Sequence, residues 1–231
     1  EMADEALPDR IANIEALDEI LSRPDEVLRR ELQGLDGDIM VLGVGGKIGP
    51  SLARMAKRAA PGKRVIGVAR FSEGGLRQRL EDWGIEPVQC DLMDRAALQA
   101  LPKVKNIVFM AGMKFGAADD QPRTWAMNTY VAGAVAETFT DARIVAFSTG
   151  CVYPFLGIDE IGATEETPLN PPGEYANSCV GRERLFQYFS ARHGTPGRLI
   201  RLNYAIDLRY GVLHDIASKV LLGKPIDVSL G

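Results

Sequence analysis

From residue 38 onward, short apolar runs alternate with stretches in which apolar residues recur every three or four positions. The runs are Ile39-Met40-Val41-Leu42, Val65-Ile66-Gly67-Val68-Ala69, Pro87-Val88-Gln89-Cys90, Asn106-Ile107-Val108-Phe109-Met110, Arg143-Ile144-Val145-Ala146-Phe147 and Arg198-Leu199-Ile200-Arg201-Leu202. Their length and continuous apolar character predict strands buried on both faces. Helical spacing between them predicts helices over Pro50–Ala60, Leu76–Trp83, Arg95–Ala100, Trp125–Phe139 and Tyr175–His193. Strand and helix in strict alternation predict an α/β fold: a doubly wound parallel sheet with right-handed crossovers. Ahead of it, Ile11, Ile14, Leu17, Ile20 and Leu21 recur at helical spacing, and Ser22-Arg23-Pro24-Asp25 reads as the cap of a second helix through Leu32. Residues 1–37 are therefore expected to be an N-terminal helical extension that packs and carries no chemistry. The loop from Pro154 to Gly173, rich in Gly, Pro and acidic residues, is long enough to be functional.

Composition narrows the function classes. The balance of 27 basic and 31 acidic residues leaves a net charge of −4 without a basic run, so neither nucleic acid nor an anionic membrane is the expected partner. No stretch approaches the ~18 apolar residues that span a bilayer. Cys90, Cys151 and Cys179 are widely spaced and form no Cys-x-x-Cys pair, as expected of reduced thiols in the cytoplasm. With His193 and His214 alone, no metal-ligand spacing is present.

The candidate chemistry begins after the first strand, at Gly43-Val44-Gly45-Gly46-Lys47-Ile48-Gly49. Glycines at every third position let backbone N–H groups approach a diphosphate at the start of a helix. Placed between a strand and an amphipathic helix, the turn predicts a Rossmann-type dinucleotide-binding domain over residues 38–203. The second strand ends at Ala69-Arg70, where an NAD site ordinarily has a carboxylate for the ribose 2′-hydroxyl. A guanidinium at that place suits a 2′-phosphate, so NADP is favoured over NAD.

Together these residues resemble the extended short-chain dehydrogenase/reductase family, the NAD-dependent epimerase/dehydratase group, over about residues 38–231. Gly43-x-x-Gly46-x-x-Gly49 is similar to the family's glycine turn, with Lys47 and Ile48 inside it. Asp91-Leu92 resembles the pair that implies contact with adenine. Ala111-Gly112-Met113-Lys114 looks like an Ala-Gly-Leu-Lys stretch, which implies that Lys114 reaches cofactor phosphate or ribose. Asn128 matches a helix asparagine, and Ser148-Thr149-Gly150-Cys151-Val152-Tyr153 puts Thr149 at the catalytic Ser/Thr position. Arg201-Leu202-Asn203 and Gly223-Lys224-Pro225-Ile226 resemble later family elements. The resemblance implies a nucleotide sugar or related polyol as substrate. It also implies a homodimer formed by the helices at 125–139 and 175–193, with Ala132, Gly133, Ala134, Ala136 and Gly181 allowing close approach. Residues 204–231 would begin a substrate lobe that the chain leaves truncated.

The family's tyrosine moves a proton while nicotinamide exchanges a hydride, and a lysine four residues on lowers the tyrosine pKa. Here Tyr175-Ala176-Asn177-Ser178-Cys179 keeps the tyrosine and replaces the lysine by cysteine. Lys114 is the preferred substitute cation. Arg182, about 10 Å further along the helix, is expected to reach back only partly. Three readings stay open: an oxidoreductase or epimerase using Tyr175 and Thr149, a changed reaction in which Tyr175 stays protonated and acts as an acid, and a dinucleotide-binding sensor or scaffold without turnover.

Overall fold

In the computed structural model, which describes residues 7–72, 74–114, 119–157 and 159–227, residues up to Arg201 form one compact unit and those from Leu202 a second. Two short helices come first, α1 (Ile14–Leu21) and α2 (Glu26–Gly34). The Asn13 side chain caps α1 by accepting from Ala16 N, and Asp25 caps α2 by accepting from Leu28 N. They pack on α3 (Gly49–Ala59), where Glu19 receives Arg54 at 3.0 Å and Arg58 at 2.6 Å.

The strands are β1 (Ile39–Leu42), β2 (Val65–Ala69), β3 (Glu86–Gln89), β4 (Asn106–Phe109), β5 (Arg143–Thr149) and β6 (Gly197–Leu202). They form one sheet in the order β3-β2-β1-β4-β5-β6, and the paired strands β1–β2, β2–β3, β1–β4 and β4–β5 run parallel. Residues of β1 are buried on both faces. Met40 and Leu42 join a core layer with Ile107, Phe109, Val135 and Phe186, whereas Ile39 and Val41 join the opposite layer with Ala53, Ala56 and Leu80. The chain reverses its direction of winding between β1 and β4, which opens a crevice at their carboxyl ends.

Helices α4 (Leu76–Asp82) and α5 (Arg95–Ala100) follow β2 and β3. After β4 the helical stretch begins earlier than its apolar pattern suggests: α6 (Gln121–Trp125) opens it, a π turn (Ala126–Tyr130) interrupts it, and α7 (Val131–Thr138) completes it. The long helix α8 (Glu174–His193) packs against α7. In the second unit, α9 (Val212–Leu221) is a helix that the strand–helix pattern did not announce. Among the described residues no helix is long and apolar enough to cross a membrane.

Candidate active site

The glycine turn is shaped by two close approaches and one open position. Gly43 has φ +90, and a Cβ there would lie 2.6 Å from Ala111 N. A Cβ on Gly49 would lie 2.4 Å from Val44 O, which fixes how tightly α3 packs on the turn. At Gly46 the nearest atom is Gly43 O at 3.5 Å, so its outer side is open to solvent. No side chain caps α3, whose first turn holds Pro50; an uncapped helix start is where backbone N–H groups can receive an anion. The cleft in front of this turn holds about 300 Å³. Around it the fold gathers Gly43, Gly46, Arg70, Asp91, Leu92, Ala111 and Gly112, which the sequence had pointed to from four separate strand ends. Lys47 and Ile48 sit in the turn outside the lining, and Gly49 is buried beneath it. Lys114 is exposed and also outside the lining. Phe71, Ser72 and Met127 join the wall without having been singled out. Phe71 holds φ +52, with Arg77 stacked 4.8 Å from its ring; no sequence signal announces that conformation.

The residues present fit a dinucleotide: an open glycine at an uncapped helix start, a cation at the end of β2 and an apolar wall beyond it. When bound, nicotinamide would supply a hydride acceptor or donor.

The second half of the site is built where β5 meets α8. Thr149 ends β5 and accepts a hydrogen bond from Cys151 N at 3.2 Å. Tyr175 stands in the first turn of α8, which is fixed by Trp125 Nε1 donating to Glu174 at 2.6 Å and by Asn177 donating to Pro171 O and Gly173 O. In this frame Tyr175 neighbours Thr149 and Cys179. Burial holds the Tyr175 pKa well above the ordinary tyrosine value, and the neighbouring Cys179 adds to the rise; the Thr149 hydrogen bond and the charge of Arg182 oppose it. Cys179 is itself raised by burial, again against Arg182. Tyr175 is therefore a protonated donor at neutral pH.

Arg182 is buried, contrary to the partial reach expected of it. Its Nε donates to Asn128 O at 3.2 Å, Nη1 to Phe147 O at 2.9 Å and Nη2 to Asn128 Oδ1 at 2.8 Å. Arg182 thus carries a positive charge that bears on Tyr175, while Lys114 is exposed. Asn128 lies in the π turn and is fully buried; it also accepts from Met113 N and donates to Met113 O and Ser178 Oγ, tying the chain after β4 to α8. Behind the site, the buried Glu183 accepts from Ser148 at 2.5 Å and from Arg201 at 2.9 Å and 3.1 Å, while Arg201 also donates to Tyr153 at 2.9 Å. The Glu183 carboxylate keeps the Arg201 pKa raised.

A doubly wound sheet with an open glycine turn and a Thr–Tyr pair defines a protein of the dinucleotide-binding class. The model of the NAD dependent epimerase/dehydratase family matches residues 39–220, and the chain belongs to that family. Among solved structures it is similar to the UDP-glucuronic acid 4-epimerase of Bacillus cereus in complex with NAD, at 17% identity and TM-score 0.64, covering 81% of this chain and 64% of that one. The dTDP-glucose 4,6-dehydratase of Streptomyces venezuelae with NAD and TYD bound aligns at 23% identity and TM-score 0.65, over 80% and 62% of the two chains. A UDP-Glc/GlcNAc 4-epimerase from Campylobacter jejuni aligns at 20% and 0.67, over 81% and 63%. The chain spans less than two thirds of the length of each. A search among curated proteins gives no significant match.

Proposed function

We propose that the protein holds NADP or NAD in the cleft before the glycine turn and interconverts hydroxyl and carbonyl at a carbon of a nucleotide sugar or related polyol, with Tyr175 and Thr149 at the reacting oxygen. The observation that carries this reading is the meeting of Thr149 and Tyr175 beside Arg182, whose guanidinium backs Gly112 on the cofactor cleft wall. Nucleotide sugars are proposed because the similar structures named above are 4-epimerases of UDP-glucuronic acid and of UDP-Glc/GlcNAc and a dehydratase of dTDP-glucose.

Tyr175 starts protonated, so its first act is to donate. In the reducing direction the O–H bond of Tyr175 breaks and its proton goes to the carbonyl oxygen, the hydride for the carbonyl carbon being what a bound reduced nicotinamide would give up; Thr149 orients that oxygen. The reverse reaction needs the tyrosinate and becomes faster as pH rises. Lys47, Ile48 and Gly49 position the diphosphate, Asp91 and Leu92 the adenine, and Lys114 reaches phosphate from outside the wall. Arg70, exposed on the cleft at the end of β2, favours the 2′-phosphate of NADP. A homodimer pairing through α7 and α8 would cover Tyr130 and Tyr188, both about half exposed, and a cytoplasmic location agrees with three free thiols.

The test is calorimetric titration with NADP and NAD, then absorbance at about 340 nm over a panel of nucleotide sugars. Tyr175→Phe is expected to lower turnover by roughly 10²- to 10⁴-fold while leaving cofactor affinity intact. Tight cofactor binding without turnover on any member of the panel would instead make the protein a dinucleotide sensor or scaffold, the reading that the cysteine at 179 favours.

A further inference from the structure

Arg182 is a buried cation whose three hydrogen bonds all end on uncharged oxygens, those of Asn128 and Phe147. Among the described residues no carboxylate forms a salt bridge with it. The carboxylate next in sequence, Glu183, is turned to Arg201 and Ser148. A guanidinium keeps its charge even when buried, and such a charge is costly unless something nearby answers it. Cys179 and Tyr175, which precede it on the same helix, bear on its charge, and the Glu183 carboxylate adds to them without bonding it. The space for it is cleared on the opposite side, since a Cβ on Gly112 would lie 2.4 Å from Nη2.

From this we infer that Arg182 is the positioning residue of the reaction centre: it supplies positive charge that stabilises tyrosinate at 175, and a small neutral side chain at 179 is the condition for its doing so. The inference rests on the proposed oxidoreductase site and goes beyond it by treating Cys179 and Arg182 as one coupled choice, in which a cation fits at either position and not at both. A helical side chain leans toward the helix N-terminus, so a long residue at 182 and a long residue at 179 compete for one volume above Tyr175.

Four proteins test it: the wild type, Cys179→Lys, Arg182→Met and the double variant, each followed by thermal unfolding without ligand, NADP affinity and turnover of the nucleotide sugar that the wild type uses. Cys179→Lys alone is expected to lower the unfolding temperature by several degrees, because two cations then share a buried space. Arg182→Met alone should lose roughly 10²-fold in turnover. The double variant should regain turnover to within about tenfold of wild type and unfold well above the temperature that the two single losses add up to. Strictly additive effects with no rescue would make Arg182 a structural residue only and overturn the inference. Should the Arg182 variants fail to fold, Cys179→Lys is compared with Cys179→Met: an equal loss of stability in both shows that the charge is not felt and overturns it too, whereas a larger loss for lysine supports it. A wild type that binds neither NADP nor NAD would refute the proposed function, and the unfolding comparison would still decide the claim about the cation.

Discussion

At the scale of single residues, the site depends on atoms that are absent as much as on those present. Gly43→Ala would put a methyl group 2.6 Å from the Ala111 nitrogen at a backbone φ of +90, two penalties at one position. Its expected cost is about 1–3 kcal/mol for the steric conflict alone, read as a lower urea midpoint together with lost cofactor binding. Gly46→Ala meets only an ordinary contact with Gly43 O at 3.5 Å in the free protein, so it should fold normally and fail mainly in calorimetry with cofactor. Arg70→Ala is expected to weaken NADP about tenfold or more and NAD hardly at all; an equal loss for both would remove the 2′-phosphate argument. The glycines were readable because a tight turn is a local requirement, whereas Thr149 and Tyr175 were named by the resemblance to the family. The place of Arg182 was readable from neither. Counting axial rise put its Cα a long way from Tyr175, but its side chain runs back along the helix into the space beside Gly112.

At the scale of elements, α8 and the broken helix before it form one device. The π turn at Ala126–Tyr130 places Asn128 where it binds the chain after β4, Ser178 and Arg182 together. An interruption of that kind frequently marks a functional site, and apolar periodicity alone gives no sign of it. The small residues of α7, expected to serve contact between subunits, are buried within the chain: a Cβ on Gly133 would lie 2.9 Å from Leu185, and one on Gly181 2.8 Å from Thr129. Gly181→Ala should therefore lower stability by about 1–3 kcal/mol in thermal unfolding at any protein concentration. Glu183 joins α8 to β5 and β6 through Ser148 and Arg201. Glu183→Gln leaves Arg201 without its charge partner, and a loss of roughly 3–5 kcal/mol is expected for breaking a buried pair from one side.

At the scale of the whole molecule, Tyr175 and Cys179 both have pKa values raised by folding. The folded state therefore holds these protons more tightly than the unfolded state, whose groups titrate near ~8.5 for Cys and ~10 for Tyr. Their contribution to stability is complete below those values and is lost as pH rises beyond them. Tyr175→Phe should accordingly shift the alkaline limb of an unfolding-versus-pH curve upward; an unchanged limb would mean that Tyr175 ionises freely in the folded protein. By itself the sequence determined the alternation of buried strands and amphipathic helices and the glycine turn, because periodicity and backbone freedom are properties of neighbouring residues. Only the tertiary structure decided that Arg182 is buried against Asn128 and Phe147, what else Asn128 ties together, and that the glycines of α7 and α8 face their own chain. Those outcomes follow from side-chain reach and burial between segments distant in sequence, where the cost of an unanswered charge or an unfilled space is set by whatever the fold brings alongside.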